Sequence, residues 1–232
     1  MVENCIVDTL EPITLIGGGA GTIADVQDAQ AVAPICVAAD GGAVLAARAG
    51  AKLVAIIGDF DSVPLDVLAQ IPANRQHHIA EQMSTDFDKA LRHIHAPVVV
   101  AVGFSGARVD HQLGCFHTLT YHPHKPCVIL AESEVIFLCP KKMTLPTVAG
   151  DIVSLFPMAA VTGRSVGLKW PIDGLAFDPL TRVGTSNQAM GPVTLELDGP
   201  QMLCIAPRRI MPQVVQLLST LPAPARWPVR ER

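Results

Sequence analysis

Two aspartates separated by one residue give the clearest chemical signal in the sequence. Asp59 and Asp61 follow residues 53–58, a hydrophobic stretch typical of a buried strand. In an extended or turning chain the two side chains project the same way, so both carboxylates can reach one hard cation. A cap before a helix at residues 64–71 explains Ser62 but not the two acids. The pair therefore predicts a metal site.

A second acidic segment lies further along the chain, at residues 81–91. Ser84 or Thr85 followed by aspartates is typical of a capped helix start, and this explanation suffices when the segment is considered alone. Asp86 in the first turn of such a helix can also face the strand-end carboxylates. It would then be a third metal ligand, while Asp88 interacts with the helix dipole.

Residues 103–113 form a glycine-bearing loop that leaves a strand and enters a helix. The first turns of this helix carry Arg108, Asp110 and His111, an arrangement suited to phosphate through backbone N–H groups and a guanidinium. A helix start with a salt-bridged arginine explains the segment equally well. Residues 17–22 are less specific, because they lack both the third glycine of a dinucleotide fingerprint and the Gly-Lys-Ser/Thr of a P-loop.

The elements that position these residues alternate between short apolar runs and helical patterns, which is typical of a parallel sheet covered by helices. Ligands of such sheets bind beyond the carboxyl ends of the strands, so the glycine and aspartate turns should share one face. The predicted strands are 13–17, 35–39, 53–58, 97–103 and 126–131, and the predicted helices are 42–49, 64–71, 84–95 and 110–121.

From about residue 132 the pattern changes to strands separated by Gly/Pro-rich turns, at 134–139, 151–157, 192–199 and 201–207. This predicts an all-β domain. We therefore expect an α/β domain at residues 1–131, a β-sandwich at 132–220 and a Pro-rich tail at 221–232. The tail has too much proline for a helix and is expected to trail or to pack as an extended segment.

Composition restricts the possible partners of this 232-residue chain. Only 16% of residues are charged and 50% are hydrophobic, against about 25% charged in typical soluble domains, which favours a homo-oligomer. A formal net charge of −4 argues against a general nucleic-acid binder. We find neither an uncharged apolar run of about 18 residues nor a basic region before an apolar stretch, so we expect a cytoplasmic protein with no membrane span.

Taken together, the motifs resemble those of the thiamine pyrophosphokinase family, in the same order and over nearly the whole chain. Each motif alone is weak, but six in register are hard to obtain by chance. They are Ala39–Ala43, Gly58–Ser62, Thr85-Asp86 with Lys89–Leu91, Gly106–His111 with Leu113, Leu168–Ile172 and Gly184–Asn187.

The resemblance implies transfer of pyrophosphate from ATP to the hydroxyl of thiamine, giving thiamine diphosphate and AMP, with Mg²⁺ as cofactor. It also implies an α/β domain joined to a β-sandwich, in a homodimer with its sites at the subunit interface. By the same resemblance, the magnesium ligands are Asp59, Asp61 and Asp86. The nucleotide and phosphate side comprises Asp40, Gly41, Gly42, Arg108, Asp110 and His111, and the thiamine side comprises Gln82, Trp170, Ser186 and Asn187.

The proposed chemistry agrees with this allocation. Attack on a phosphorus of ATP develops charge on oxygens, and catalysis rests on positioning and cationic stabilisation, for which three acids and Arg108 suffice. Asp86 can accept the hydroxyl proton. Trp170 can stack on the cationic thiamine ring, although a single Trp in a β domain is more often a core residue.

Two positions depart from the family pattern: Met83 replaces an aspartate and Cys115 replaces an asparagine. Met83 either leaves a ligand position vacant or packs against an apolar neighbour. Cys115 lies one helical turn beyond His111 and is expected to change only packing.

Two other functions remain open at this stage. A nicotinamide or flavin oxidoreductase would use the loop at residues 17–21, with Asp40 on the ribose, but would leave the pairs Asp59/Asp61 and Arg108/Asp110 unexplained. A non-catalytic binding protein would capture thiamine or a nucleotide, and Met83 is the feature that favours it.

Overall fold

The structure is a computed structural model that describes residues 5–229, and these form two compact units. The first unit contains the chain up to Thr118 together with Ile129–Ala131, and the second contains Leu119–Val128 and the chain from Glu132.

The first unit is built on a sheet of parallel strands. Its strands are β1 (Val7–Asp8), β2 (Ile13–Ile16), β3 (Ile35–Ala39), β4 (Leu53–Gly58), β5 (Gln76–His78), β6 (Ile94–His95) and β7 (Val99–Val102). Strand β8 (Cys127–Leu130) contributes its last two residues to this unit. The order is β8-β7-β2-β3-β4-β5, and the pairs from β7 to β5 are parallel. Strands β1 and β6 form a separate parallel pair. All residues of β2 and β7 are buried, as expected for apolar runs covered on both faces.

Five helices accompany these strands. They are α1 (Ile23–Gln30), α2 (Gly42–Arg48), α3 (Leu65–Leu68), α4 (Asp86–Arg92) and α5 (Val109–Tyr121), with a 3-10 turn at Ala73–Arg75. Four of the helices match predictions, although α3 and α4 are shorter than expected. Helix α1 was not predicted because its apolar periodicity is weak, yet the capping box between Thr22 and Asp25 marks its start.

The second unit consists mainly of antiparallel strands. They are β9 (Glu134–Leu138), β10 (Lys142–Leu145), β11 (Ile152–Pro157), β12 (Val161–Leu168), β13 (Ala176–Phe177), β14 (Gly184–Leu197) and β15 (Met202–Pro207). Their order is β9-β15-β11-β14-β12-β13, and β10 also pairs with β14. Over both units the strands therefore form mixed parallel and antiparallel pairs with accompanying helices.

The prediction that the second domain is all-β is wrong in one respect, because the unit includes helix α6 (Met211–Ser219). The helix follows a 3-10 turn at Arg208–Ile210 and buries Met211, Val214, Val215 and Leu218. These residues recur at helical spacing, a signal that could have located the helix.

The Pro-rich tail packs rather than trails. It contains a 3-10 turn at Ala223–Ala225, and the buried Trp227 donates an indole hydrogen bond to the carbonyl of Cys139 at 2.7 Å. The predicted tail continues to residue 232, and its last three residues lie outside the described part of the chain. Within residues 5–229, no helix has both the length and the apolar character needed to cross a membrane.

Candidate active site

Three aspartates meet where β3 and β4 end. The register pairs Ala39 with Ile57, so Asp40 directly after β3 lies beside the turn that carries Asp59 and Asp61. One carboxylate oxygen from each aspartate lies within 4.8 Å of the others. The sequence predicted that Asp59 and Asp61 share a cation, and the structure adds Asp40 to them. We call Asp40, Asp59 and Asp61 the acidic cluster.

The backbone at the acidic cluster is locally strained. Asp40 has a φ of 43° and Phe60 has a φ of 63°, both in the left-handed region. This conformation is tolerated by aspartate but is unusual for a bulky residue such as Phe60. The ring of Phe60 packs edge-on against His78, with centroids 5.5 Å apart. Strain of this kind persists only where the surrounding structure holds it, and it concentrates at functional sites.

The acidic cluster has the donor chemistry of a cation site. Asp40 is only 3% exposed, and among the described residues its buried Oδ1 has no hydrogen-bond partner. Burial, together with the charges of Asp86, Asp59 and Asp61, raises the pKa of Asp40, although a backbone hydrogen bond from Gly41 opposes this. A buried carboxylate oxygen without a donor, beside two further carboxylates, suits a divalent cation such as Mg²⁺.

Asp86 reaches the same region from helix α4. The Lys89 ammonium donates to Asp86 Oδ1 at 3.0 Å and to Asp59 Oδ2 at 2.9 Å. The hydrogen bond from Lys89 is the main reason that the pKa of Asp59 falls below its usual value. Burial alone would lower the pKa of Lys89, but its two carboxylate partners outweigh burial and raise it. Asp86 is therefore joined to the cluster through Lys89 and does not belong to the group of three.

The loop before α4 is held by Glu81. Its carboxylate accepts hydrogen bonds from the Ser84 hydroxyl, from the Met83 backbone N–H at 2.8 Å and from the Arg92 guanidinium at 2.7 Å. These hydrogen bonds lower the pKa of Glu81, and the bond from Ser84 has the largest effect. Gln82 in the same loop donates to Asp59 Oδ2 at 3.1 Å. Gln82, expected on the thiamine side, thus lies against an expected metal ligand.

Met83 does not pack against an apolar neighbour. Its side chain is 95% exposed, so the interpretation that this position was rebuilt as packing is wrong. Cys115 is buried, and desolvation raises the pKa of its thiol to about 12. An un-ionised buried thiol agrees with a packing role, although Cys115 also lines the cavity described below.

Three of the expected phosphate residues lie at the start of α5: Arg108 ends the loop that follows β7, and Asp110 and His111 lie in the first turn of the helix. The Arg108 guanidinium forms an ion pair with Asp110 at 2.6 Å, and both side chains are more than 60% exposed. The hydrogen bond from Arg108 lowers the pKa of Asp110 to about 2. Exposed pairs of this kind contribute little to stability, so Arg108 can turn toward an anionic ligand at small cost. His111 lies in the first turn of α5 and lines the cavity with Arg108.

Glycines let the loops at the strand ends approach one another closely. A Cβ on Gly42 would lie 2.0 Å from the carbonyl oxygen of Ile16, and one on Gly19 would lie 2.6 Å from that of Gly103. The loop at residues 17–21, which lacked a specific motif, therefore has a packing function against the neighbouring strand ends.

These loops and the acidic cluster surround one cavity of about 680 Å³ in the first unit. Its volume is typical of small-molecule sites. The residues that line it include Gly18, Gly19, Asp40, Gly41, Asp59, Asp61, Gln82, Asp86, Lys89, Arg108 and His111. The expected metal and phosphate residues that share this cavity come from separate segments between Asp40 and His111.

The expected thiamine residues other than Gln82 belong to the second unit. Trp170 is 55% exposed and is therefore not a core residue. The side chain of Asn187 holds the backbone of Trp170. Its Oδ1 accepts a hydrogen bond from Trp170 N at 3.2 Å, and its Nδ2 donates one to Trp170 O at 2.7 Å. The Lys169 ammonium lies 4.8 Å from the centre of the indole ring. Ser186, with a φ of 60°, donates its backbone N–H to Ser154 Oγ at 2.9 Å.

Comparison with known proteins agrees with this geometry. The family model described as the catalytic domain of thiamin pyrophosphokinase matches residues 26–130, the range that contains the acidic cluster and Arg108. Over these residues the chain is similar to the thiamine pyrophosphokinase family. Thiamine pyrophosphokinase 3 of Oryza sativa subsp. japonica is 27% identical over 152 residues, which cover 57% of each chain. The chain thus aligns with little more than half the length of the rice protein.

Solved structures of thiamin pyrophosphokinases resemble this chain in fold. The protein from Geobacillus thermodenitrificans has a TM-score of 0.70 at 25% identity, covering 84% of this chain and 96% of its own. The yeast protein has a TM-score of 0.70 at 17% identity, covering 95% of both chains.

Two features of the candidate site were not found by sequence reasoning. The resemblance put Asp40 on the nucleotide side, whereas its carboxylate lies with Asp59 and Asp61. Lys89 received no individual role, although its spacing of three residues from Asp86 on a predicted helix placed the two side chains on one face.

Proposed function

We propose that this chain is a thiamine pyrophosphokinase, which transfers a diphosphate group from ATP to the hydroxyl of thiamine and releases AMP. The observation that carries the proposal is the acidic cluster within a cavity of about 680 Å³ that Arg108 also lines. Apart from Gly18 and Gly19, the residues that line this cavity lie inside the range matched by the family's catalytic domain.

In this reaction the hydroxyl oxygen of thiamine attacks the β-phosphorus of ATP. The bond between that phosphorus and the α,β-bridging oxygen breaks, so AMP leaves with the electron pair and the β- and γ-phosphates remain on thiamine. Asp86 accepts the hydroxyl proton. Arg108 turns from Asp110 to the phosphates, helped by backbone N–H groups around Gly41 and Gly42 and by His111.

Asp59 and Asp61, with Asp86, would hold Mg²⁺, and the buried Oδ1 of Asp40 is a further candidate ligand. When bound, the ion neutralises charge on the phosphate oxygens. Asp40 would thus be a fourth metal ligand, beside the three acids expected from the sequence.

Thiamine would bind through the second unit. Trp170 offers an exposed indole on which a cationic ring can stack, worth about 1–2 kcal/mol. Asn187 holds the Trp170 backbone, so its contribution is to orient the indole. We assign ATP and metal binding to residues 1–131 and thiamine binding to 132–220, with the latter forming the β-sandwich that the resemblance implies.

We further propose a homodimer with its active sites at the subunit interface. The low charged fraction of 16% supports this, as do exposed apolar side chains of the second unit such as Val166, Leu180 and Met190. Mixing inactive Asp61→Asn subunits with inactive Ser186→Ala subunits should restore part of the activity. A monomer in light scattering at assay concentration would contradict the assembly.

The proposed activity is tested by measuring AMP release from ATP with Mg²⁺ and thiamine. We expect AMP only when all three are present. Thiamine binding without AMP formation would instead indicate the non-catalytic binding protein. Thiamine-independent reduction of a nicotinamide or flavin would indicate the oxidoreductase, which the burial of Asp40 beside two other acids does not favour.

A further inference from the structure

Lys89 connects two elements of the candidate site that are separate in the sequence. Asp59 follows strand β4 and Asp86 begins helix α4, and the Lys89 ammonium donates to both carboxylates at 2.9 and 3.0 Å. Its side chain is only 2% exposed. Because Asp86 and Lys89 are three residues apart on one helix, the helix itself fixes the second contact.

Packing alone does not explain a lysine at this position. Burying an ammonium costs several kcal/mol unless ionic partners and hydrogen bonds compensate, and an aliphatic side chain of similar length would avoid that cost. Here both partners are acids expected to act in the reaction. Gln82 donates to the same Oδ2 of Asp59 as Lys89 does. Two donors therefore fix one oxygen of Asp59 and set the direction of the other.

Lys89 also changes the charge of the site. Asp40, Asp59, Asp61 and Asp86 contribute four negative charges when ionised, and Lys89 compensates one of them. A positive charge this close weakens the attraction of the acids for a second cation. Lys89 thus fixes the geometry of two acids at the expense of cation affinity.

We propose that Lys89 is a positioning residue, which holds Asp59 and Asp86 in the arrangement that diphosphate transfer requires. The inference rests on the proposed function. It predicts that removing the ammonium has opposite effects on two measurable quantities: turnover falls because the acids lose their fixed separation, while binding of a divalent cation to the nucleotide-free protein becomes tighter.

The test compares wild type with Lys89→Met, which keeps the length of the side chain without its charge. Mn²⁺ binding is followed through the EPR signal of the free ion, with no nucleotide present, and kcat is measured from AMP release. We expect Mn²⁺ to bind several-fold more tightly and kcat to fall about 100-fold, since displacements near 1 Å cost this much. Lys142→Met, which breaks the exposed ion pair with Glu196, should leave both quantities unchanged.

A purely structural role would lower Mn²⁺ affinity and kcat together, along with the melting temperature, and this result would overturn the inference. Unchanged kcat, or equal Mn²⁺ affinity in the folded variant, would overturn it too. If Lys89→Met does not fold, Lys89→Gln keeps a hydrogen-bond donor without the charge. It should likewise bind Mn²⁺ more tightly and have a lower kcat. Absence of AMP formation by wild type would contradict the proposed function itself, whereas the Mn²⁺ comparison tests the effect of the Lys89 charge independently.

Discussion

Asp40→Asn separates the stability of the metal-free protein from its activity. Asp40 is 3% exposed, and one of its oxygens lies within 4.8 Å of oxygens of Asp59 and Asp61. Asparagine tolerates the left-handed backbone at this position as well as aspartate does, so the substitution removes a charge with little change in backbone energy. The nucleotide-free protein in EDTA should therefore become more stable.

The expected magnitude follows from the distances. Two unit charges 4.8 Å apart repel by about 3 kcal/mol at an effective dielectric constant near 20. Lys89 offsets the charge of Asp59, and Asp61 is exposed to water, so a net gain of about 2 kcal/mol is a reasonable expectation. For a chain of this size that corresponds to a melting temperature higher by roughly 4–8 °C.

The assay is thermal unfolding in EDTA beside AMP formation with Mg²⁺. Asp40→Asn should melt at a higher temperature yet lose most of its activity, because the cluster lacks one carboxylate. Asp66→Asn removes an exposed acid of helix α3 and should change neither quantity. A lower melting temperature for Asp40→Asn would refute the reasoning, since it would mean that the aspartate charge stabilises the fold.

Three other substitutions and one control variant test separate parts of the protein. Gly42→Ala places a Cβ 2.0 Å from a backbone oxygen. It should destabilise the protein by about 3 kcal/mol or more in urea unfolding. The control Gly114→Ala, whose Cβ would lie 3.6 Å from the nearest atom in α5's surroundings, should be neutral or stabilising. Met83→Asp changes a 95% exposed side chain, so the melting temperature should stay constant. The Mg²⁺ concentration that gives half activity should fall roughly twofold. A clear loss of stability would contradict this expectation. Trp170→Ala should raise the thiamine KM about tenfold and leave the ATP KM unchanged, and an unchanged thiamine KM would exclude stacking on this indole.

Strands β2, β3, β4 and β7 of the first unit were predictable because each is a short apolar run that ends at glycine or aspartate. The parallel strand β5 was not predicted, because its residues are polar. The predicted bounds of 35–39 and 53–58 agree with β3 and β4. Strands β12 and β13 and helix α1 were not predicted, because their apolar periodicity is weak or was interpreted as turn. Helix α6 was missed although its apolar residues recur at helical spacing. Local pattern thus identified the elements that are buried on both faces better than the elements with one exposed face.

The separate parts of the candidate site were also visible in the sequence, but their contacts were not. Asp59 and Asp61 are neighbours in the chain, so local geometry was enough to pair them. The approach of Asp40 depends on the register of β3 against β4, in which Ala39 pairs with Ile57. The contact of Lys89 with Asp59 joins residues 30 positions apart. Such contacts depend on long-range packing, which periodicity does not encode.

Mg²⁺-dependent product formation in Asp61→Asn tests most directly whether the carboxylates beyond β3 and β4 support diphosphate transfer. Thiamine diphosphate and AMP should be quantified together over a range of Mg²⁺ concentrations for wild type, Asp61→Asn and the control Asp66→Asn. We predict equimolar products for wild type and the control. Asp61→Asn should be folded but slower by several orders of magnitude, because removing one carboxylate costs several kcal/mol of charge stabilisation. Wild-type rates in Asp61→Asn at ordinary Mg²⁺, or AMP formed without thiamine diphosphate, would contradict the account.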